Sequence, residues 1–333
     1  MKKVIILGGG VAGMSAAQEL GERGFDVEVY ERNPKYSGGK ARSVDVPGTN
    51  LLNKDKFLPG EHGFRFFPGF YKHITDTMKR IPFKNSEGKK NRKGCYDNLT
   101  PTSRIMIARN EKNPIVTNAG FPRTRKDLKL IIHDLSGGIN SGLKHEEIEF
   151  FAEKTWQLMT SCQDRRENVY ERIGWWDYME AGRFSETYRH LLVEGLTRTL
   201  VASRAKSAST KTGGDIFLQL IFNMLDPTVA ADNVLNGPTN EKWLYPWNDY
   251  LKTLGVKYHL QHNVMSLNMK DKKIESAVIK NSKGEEITVY ADYFILATPV
   301  EKAVEIINAE MKKADPTLSA IETLAKNVSW IAR

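Results

Sequence analysis

Val4-Ile5-Ile6-Leu7-Gly8-Gly9-Gly10-Val11-Ala12-Gly13 is the stretch that decides the fold. Its first four residues form an apolar run with no polar member, the pattern of a strand covered on both faces. The run breaks into glycines and a small-residue amphipathic stretch follows. A second apolar run, Val27-Glu28-Val29-Tyr30, then ends in Glu31. This order predicts strand, glycine turn, helix, and a second strand with a carboxylate at its tip. Gly8, Gly10 and Gly13 fit the spacing G-x-G-x-x-G. The first glycine permits the tight turn, the second lets a pyrophosphate approach the backbone, and the third lets helix and strand pack closely. Val11 and Ala12 open the helix, whose free N–H groups and dipole favour phosphate. Glu31, eighteen residues beyond Gly13, is placed to accept hydrogen bonds from an adenosine ribose. The glycine pattern alone is weak. Flanked by the strand, the helix and the acid, it reads as dinucleotide binding, against a glycine-rich βα turn with no ligand.

A plain nicotinamide-binding domain passes from its second strand into another crossover helix. Here Arg32-Asn33-Pro34-Lys35-Tyr36-Ser37-Gly38-Gly39-Lys40-Ala41-Arg42 follows instead. Gly38-Gly39 lets backbone come close to a bulky ligand, and Lys40 and Arg42 can offset phosphate charge. The competing reading is a solvated basic loop.

The composite of Glu31-Arg32 and Gly38-Gly39-Lys40-x-Arg42 resembles the flavin-binding entry of the FAD-dependent amine oxidase and phytoene desaturase superfamily. There this segment wraps the pyrophosphate and ribityl part of FAD. Gly60-Glu61-His62-Gly63-Phe64-Arg65-Phe66-Phe67-Pro68-Gly69 is similar to a stretch near the flavin in carotenoid desaturases and hydroxysqualene dehydroxylases. Asn236-Gly237-Pro238-Thr239 through Trp243-Leu244-Tyr245-Pro246-Trp247 looks like the helix leading back to the FAD domain. The strand around Val264 resembles one whose backbone meets the adenine. Ala297-Thr298-Pro299 resembles the end of the returning strand against the cofactor. The resemblance implies an α/β fold: a Rossmann-like FAD-binding domain of the glutathione-reductase type, interrupted by a mostly helical substrate lobe. It runs in order along nearly the whole chain, and its first forty or so residues are the most specific part.

With 333 residues the chain is long enough for two lobes. No apolar stretch approaches the roughly 18–20 residues needed to span a bilayer. The opening Met1-Lys2-Lys3 superficially mimics a signal peptide, but its four apolar residues are accounted for by the first strand. Cys95 and Cys162 show neither C-x-x-C nor metal-ligand spacing, so no metal is expected and a reducing, cytoplasmic compartment is the natural reading. The net charge of +9 is uneven: residues 71 to 130 hold fifteen Lys or Arg against five Asp or Glu. Lys84 to Lys93 reads as an exposed loop, and attraction to anionic headgroups is one reading of it, giving peripheral membrane contact. A solvated insertion is the other. No nucleic-acid motif accompanies the charge, so nucleic acid is not expected as a partner.

The expected domains are residues 1–70 and 255–300 as the two parts of the FAD-binding domain, and 71–254 as the helical lobe with its basic insertion. Residues 301–333 are expected to begin a second segment of that lobe. Val256 to Leu260 reads as a strand, and Ile274–Ile279 with Ile287–Tyr290 reads as a hairpin turned at Asn281-Ser282-Lys283-Gly284. Helices are expected over Glu146–Ser161, Phe184–Val201, Ile216–Leu225 (stopped at Asp226-Pro227) and Val300–Lys312. Lys326 to Ile331 looks like the start of a strand. The resembled family continues beyond this point with a further flavin-contacting segment. The resemblance therefore implies a C-terminally truncated chain, completed by a missing portion or a partner chain.

The chemistry expected is hydride transfer to flavin from a long apolar isoprenoid of carotenoid or squalene type, with no catalytic side chain assigned. His62 and Arg65 would lie near the ring if the resemblance holds, with a structural role as the alternative for His62. Trp156, Trp175, Trp176, Tyr178, Trp243 and Trp247 read either as a greasy tunnel or as ordinary core of the helical lobe. A flavin amine oxidase and a non-catalytic or partner-completed nucleotide-binding fragment are the competing functions. Replacing Glu31 by Ala is expected to weaken cofactor retention with little change in fold.

Overall fold

The computed structural model describes residues 1–52, 56–62, 66–102, 104–109, 112–118, 142–195, 197–198, 203–226, 230 and 232–327. The chain divides into two compact units. The first gathers residues 1–65, 73–99 and 235–328, and the second gathers 66–72, 100–234 and 329–333.

In the first unit the strands and helices that matter are β1 (Lys3–Leu7), α1 (Val11–Glu22), β2 (Asp26–Glu31), β3 (Ser43–Val46), β4 (Leu58–Glu61), α2 (His73–Arg80), α3 (Tyr245–Thr253), β5 (Lys257–Leu260), β6 (Asn263–Lys270), β7 (Lys273–Lys280), β8 (Glu286–Tyr290), β9 (Tyr293–Leu296) and α4 (Val300–Ile306). A four-stranded sheet runs in the order β9-β1-β2-β5, and every pairing in it is parallel. The sheet is parallel because β1 feeds a crossover helix. Its two central strands are largely apolar because both faces are covered: Val4 to Leu7 are all buried, as are Val27, Val29 and Tyr30. α1 covers one face with Met14 and Ala17. On the other side Ile5, Leu7 and Tyr30 share a core with Leu267, Ala277 and Ile279 of the antiparallel sheet β6-β7-β8, and with Ile306. The expected β7–β8 hairpin forms, with Ile279 opposite Ile287, and closes through Asn281 N–H to Glu285 O at 2.8 Å. β1 is flanked by β2 on one side and β9 on the other, so the chain reverses its winding direction there. That switch point, at the carboxyl ends of the strands, is where open α/β sheets offer a ligand crevice.

The second unit carries helices His145–Met159, Gln163–Asn168, Trp175–Tyr178 and Thr210–Leu225. Its core joins Leu158, Tyr170, Trp175, Tyr178, Met179, Tyr188, Val193 and Leu218.

Several expectations are corrected. Residues 73–99 and 235–254 pack with the first unit, not with the helical lobe. Within the basic stretch, Arg104–Arg109 and Lys112–Asn118 pair as an antiparallel hairpin. The single helix over Val300–Lys312 is two helices, because Asn308 caps a second one, Ala309–Ala314, by accepting from Met311 N–H. The helix expected over Phe184–Val201 is present from Glu186, and the one change to it among the described residues is a π turn over Arg189–Glu194 between the α segment Glu186–Tyr188 and the helical residues 195, 197 and 198. Lys326 ends a helix, Ala320–Lys326, and Val328 to Ile331 lie outside the described residues. Trp243 and Trp247 stack face to face at 5.4 Å within the first unit. Trp156 is largely exposed and Trp175 fully buried, so those two share no common cavity wall.

Candidate functional site

The glycine turn is held from three sides. Gly8 leaves β1 at φ +115°, which a side chain would strain, and a methyl group there would come within 2.7 Å of the Ala297 carbonyl. Its N–H donates to Tyr30 O at 2.9 Å. Gly13 packs so closely on the turn that a methyl group would meet Gly8 O at 2.0 Å, the helix–strand contact that the third glycine was expected to make. Gly10 begins α1 in extended conformation, with no side-chain cap and no acidic residue in the first turn, which Val11 and Ala12 open. A helix start left in that state suits an anion. A methyl group on Gly10 would meet only Gly39 Cα, at 3.7 Å.

Gly9 falls outside the glycine motif and is nonetheless the most confined. A methyl group on it would lie 1.9 Å from the Tyr258 hydroxyl and 2.7 Å from Glu31 Cβ. Its N–H donates to Glu31 Oε2 at 2.8 Å, and its carbonyl accepts from Tyr258 Oη at 2.6 Å. Glu31 Oε1 accepts from Asn33 N–H at 2.7 Å. Burial and the nearby Glu31 carboxylate push the Tyr258 phenol well above its usual range, so it stays a donor. Glu31 is therefore a brace of the turn as well as the acid at the strand tip. Tyr258 was not singled out in the sequence; the only signal was a tyrosine in the middle of a short strand.

The second glycine pair reaches the first. Gly38 N–H donates to Gly9 O at 2.8 Å, and Gly10 and Gly38 form an isolated parallel bridge. Gly38 and Gly39 both sit at positive φ, +88° and +56°. Arg42 Nη1 donates to Gly39 O, while Arg42 Nε is buried with no hydrogen-bond partner. Thr298 Oγ1 is likewise buried and unpartnered. It adjoins Ala297, whose N–H donates to Leu7 O at 2.8 Å. Pro299 starts α4. Lys40 pairs with Glu301 at 2.7 Å; burial pushes the Glu301 carboxyl up, but that ammonium outweighs it and holds the group below its usual range.

The structure thus brings Gly8, Gly10, Val11, Ala12, Gly13, Glu31, Gly38, Gly39, Ala297 and Thr298 to one end of the sheet. Two buried donors there, Arg42 Nε and Thr298 Oγ1, have no partner of their own, and orphaned groups of this kind suit a polar ligand such as a diphosphate. Arg32 is exposed. His62 is exposed, with Nδ1 3.0 Å from Arg42 O. Gly60 pairs with Val44 across β3 and β4. Glu61 accepts from Ser43 Oγ at 2.7 Å and from Thr239 N–H at 2.8 Å. Val264 lies on β6, two residues past His262, whose N–H donates to Glu31 O. Gly63 and Arg65 lie outside the described residues. Cys95 is buried, which pushes its thiol up to about 12, and Cys162 is exposed. Among the described residues no group of three or more His, Cys, Asp or Glu gathers for a metal, and no helix is long and apolar enough to cross a membrane.

Comparison with known proteins agrees with this geometry. Residues 6–81 match the family model described as an NAD(P)-binding Rossmann-like domain. A 4,4'-diaponeurosporene oxygenase of Staphylococcus haemolyticus is 47% identical over 86 residues, 25% of this chain and 17% of that protein. The zeta-carotene desaturase of a Synechocystis strain is 24% identical over 306 residues, 90% of this chain and 58% of that one. The chain spans less than two thirds of the length of these curated relatives. Among solved structures, wild-type putrescine oxidase bound to putrescine superposes with a TM-score of 0.55 at 14% identity, covering 92% of this chain and 60% of that one, a likeness of fold. Glycine turn, second glycine pair and the run of sequence relatives together support the resemblance to the FAD-dependent amine oxidase and phytoene desaturase superfamily.

Proposed function

We propose that this chain carries the cofactor-binding part of an FAD-dependent oxidoreductase that dehydrogenates a long apolar isoprenoid, of carotenoid or squalene type. The observation that carries the cofactor is the bridge between the two glycine loops, Gly38 N–H to Gly9 O, beside the unpartnered Arg42 Nε and Thr298 Oγ1. A nicotinamide fold needs only the first loop; the second, with its cations, adds a surface for a longer dinucleotide. Glu31 would take the ribose, the start of α1 the diphosphate, and Arg42 with Thr298 the groups beyond it. FAD, when bound, would supply the acceptor for a hydride. The chain's own residues orient it, exclude water and satisfy its charge. The substrate class rests on the carotenoid enzymes among the relatives. Membrane-surface contact through the basic 71–130 stretch, which would suit a lipid-dissolved substrate, is part of this proposal.

The test is absorbance between roughly 350 and 500 nm on the purified chain, given FAD, followed by anaerobic addition of phytoene-type or squalene-type substrates or of amines. Flavin bands that bleach with the isoprenoids support the reading. Bleaching with amines alone assigns an amine oxidase. No retained flavin removes the cofactor from the account.

A further inference from the structure

The loop of residues 38–42 is short, glycine-opened and cationic, a single tight turn in which Ala41 N–H donates to Gly38 O at 3.0 Å and Arg42 Nη1 to Gly39 O. Its two ends are fixed from elsewhere. At the front, Gly38 is tied to Gly9 and covered by Leu244, which is fully buried; a methyl group on Gly38 would come within 2.3 Å of Leu244 Cδ1. At the back, Ser43 follows Arg42 directly and is only 1% exposed. The Asn240 side chain treats Ser43 as a neighbouring strand would. Its Oδ1 accepts from Ser43 N–H at 2.9 Å and its Nδ2 donates to Ser43 O at 3.0 Å. Asn240 N–H also donates to Ser43 Oγ at 3.3 Å. The same hydroxyl donates to Glu61, which in turn accepts from Thr239 N–H and, at 2.9 Å, from Thr239 Oγ1. Asn240 and Thr239 are themselves buried. An amide matched to both backbone groups of one residue costs little entropy once buried, and leaves no partner unsatisfied.

We infer that Asn240, through this pair of hydrogen bonds to Ser43, is a positioning residue that sets the 38–42 loop for the distal part of the cofactor. The inference rests on the FAD reading. It separates two grips: the first loop with Glu31 holds the adenosine end, and the second loop, locked by Asn240, holds what lies beyond.

The experiment compares wild type, Asn240→Ala and Ser43→Ala for binding of FAD and of ADP, by flavin fluorescence and by competition. It also measures hydrogen exchange across residues 38–43 in the unloaded protein. Asn240→Ala should weaken FAD about tenfold or more while leaving ADP within about twofold, because a lost pair of buried hydrogen bonds acts on one loop only. Ser43→Ala, which keeps both backbone bonds, should weaken FAD less. Exchange across 38–43 should quicken in Asn240→Ala. Equal losses for FAD and ADP, or unchanged FAD binding, overturn the inference. If wild type binds ADP but not FAD, the proposed function falls, and exchange then decides the lock alone: unchanged exchange overturns it. Should Asn240→Ala fail to fold, Asn240→Asp decides by the same FAD-to-ADP ratio, because it keeps an acceptor for Ser43 N–H and loses the donor to Ser43 O; an unchanged ratio overturns the inference.

Discussion

Glu31 and Asp232, one in each compact unit, are buried to nearly the same degree, 8% and 6% exposed, yet their surroundings differ sharply. Glu31 has an N–H donor on each oxygen, from Gly9 and from Asn33. Asp232 Oδ1 has no hydrogen-bond partner. Burial pushes the Asp232 carboxyl up to about 6, although the backbone N–H groups of Asn233 and Phe67 pull the other way. Burial alone therefore does not say what a carboxylate is for. A backbone donor on each oxygen makes Glu31 part of the architecture of a turn, whereas Asp232 keeps one oxygen bare and is a group whose charge the second unit tolerates poorly.

The strongest way to break this contrast is to attack the turn that Glu31 braces. Gly9→Ala puts a methyl group 1.9 Å from the Tyr258 hydroxyl with Glu31 behind it, so neither neighbour can yield without losing a bond to Gly9. A loss of about 3 kcal/mol in denaturant unfolding is expected, with no flavin retained. A variant of wild-type stability would mean the turn has room the geometry denies.

Asp232→Asn attacks the other carboxylate. Its folded value, about 6, lies above the ordinary 3.8. Protonation therefore favours the folded state: the stability it contributes is complete below about pH 4 and is lost as pH rises through about 6. The neutral amide has no such loss. Relative to wild type, Asp232→Asn should gain stability between pH 4 and 7, by up to about 3 kcal/mol, and then level off. Thermal melts at several pH values check this, and parallel profiles for the two proteins would sink it. Glu31→Gln comes next. It keeps one acceptor oxygen and loses the other, costing about 1–2 kcal/mol besides weakening FAD. The sequence alone gave Glu31 to the ligand with little effect on the fold; its two backbone bonds add a stability cost to its removal.

What could be read from the sequence is what local pattern encodes. Val4 to Leu7, the glycine turn, α1 and β2 are contiguous, and each piece has its own periodicity or turn chemistry. The β7–β8 hairpin carries its turn residues within it. Legibility fails where a partner comes from far along the chain. Tyr258 reaches Gly9 across 249 residues and Asn240 reaches Ser43 across 197, and no spacing rule links either pair. The same limit explains why residues 73–99 were assigned to the wrong body. In the sequence α2 is only part of a basic stretch, but Arg80 pairs with Glu19 and Glu22 on α1, which ties it to the first unit. The break after Ile306 was missed for a different reason: apolar spacing continues through it, and only the cap at Asn308 ends the register.

The smallest effect sharpens the comparison most. Tyr258→Phe removes one donor from Gly9 O, but that carbonyl still accepts from Gly38 N–H at 2.8 Å, so no buried acceptor is left bare. The cost should stay near 1 kcal/mol, at the low end for a buried hydrogen bond. The same substitution removes the atom that a methyl group on Gly9 would strike. If the turn is braced by direct contact, the two changes cannot be additive. Gly9→Ala in the Tyr258→Phe background should cost at least 1 kcal/mol less than in wild type, a coupling of the size seen between touching residues. A double-mutant cycle in urea gives the number. Strict additivity would mean Gly9 is required for its backbone alone, and that Tyr258 is only a bystander beneath the turn.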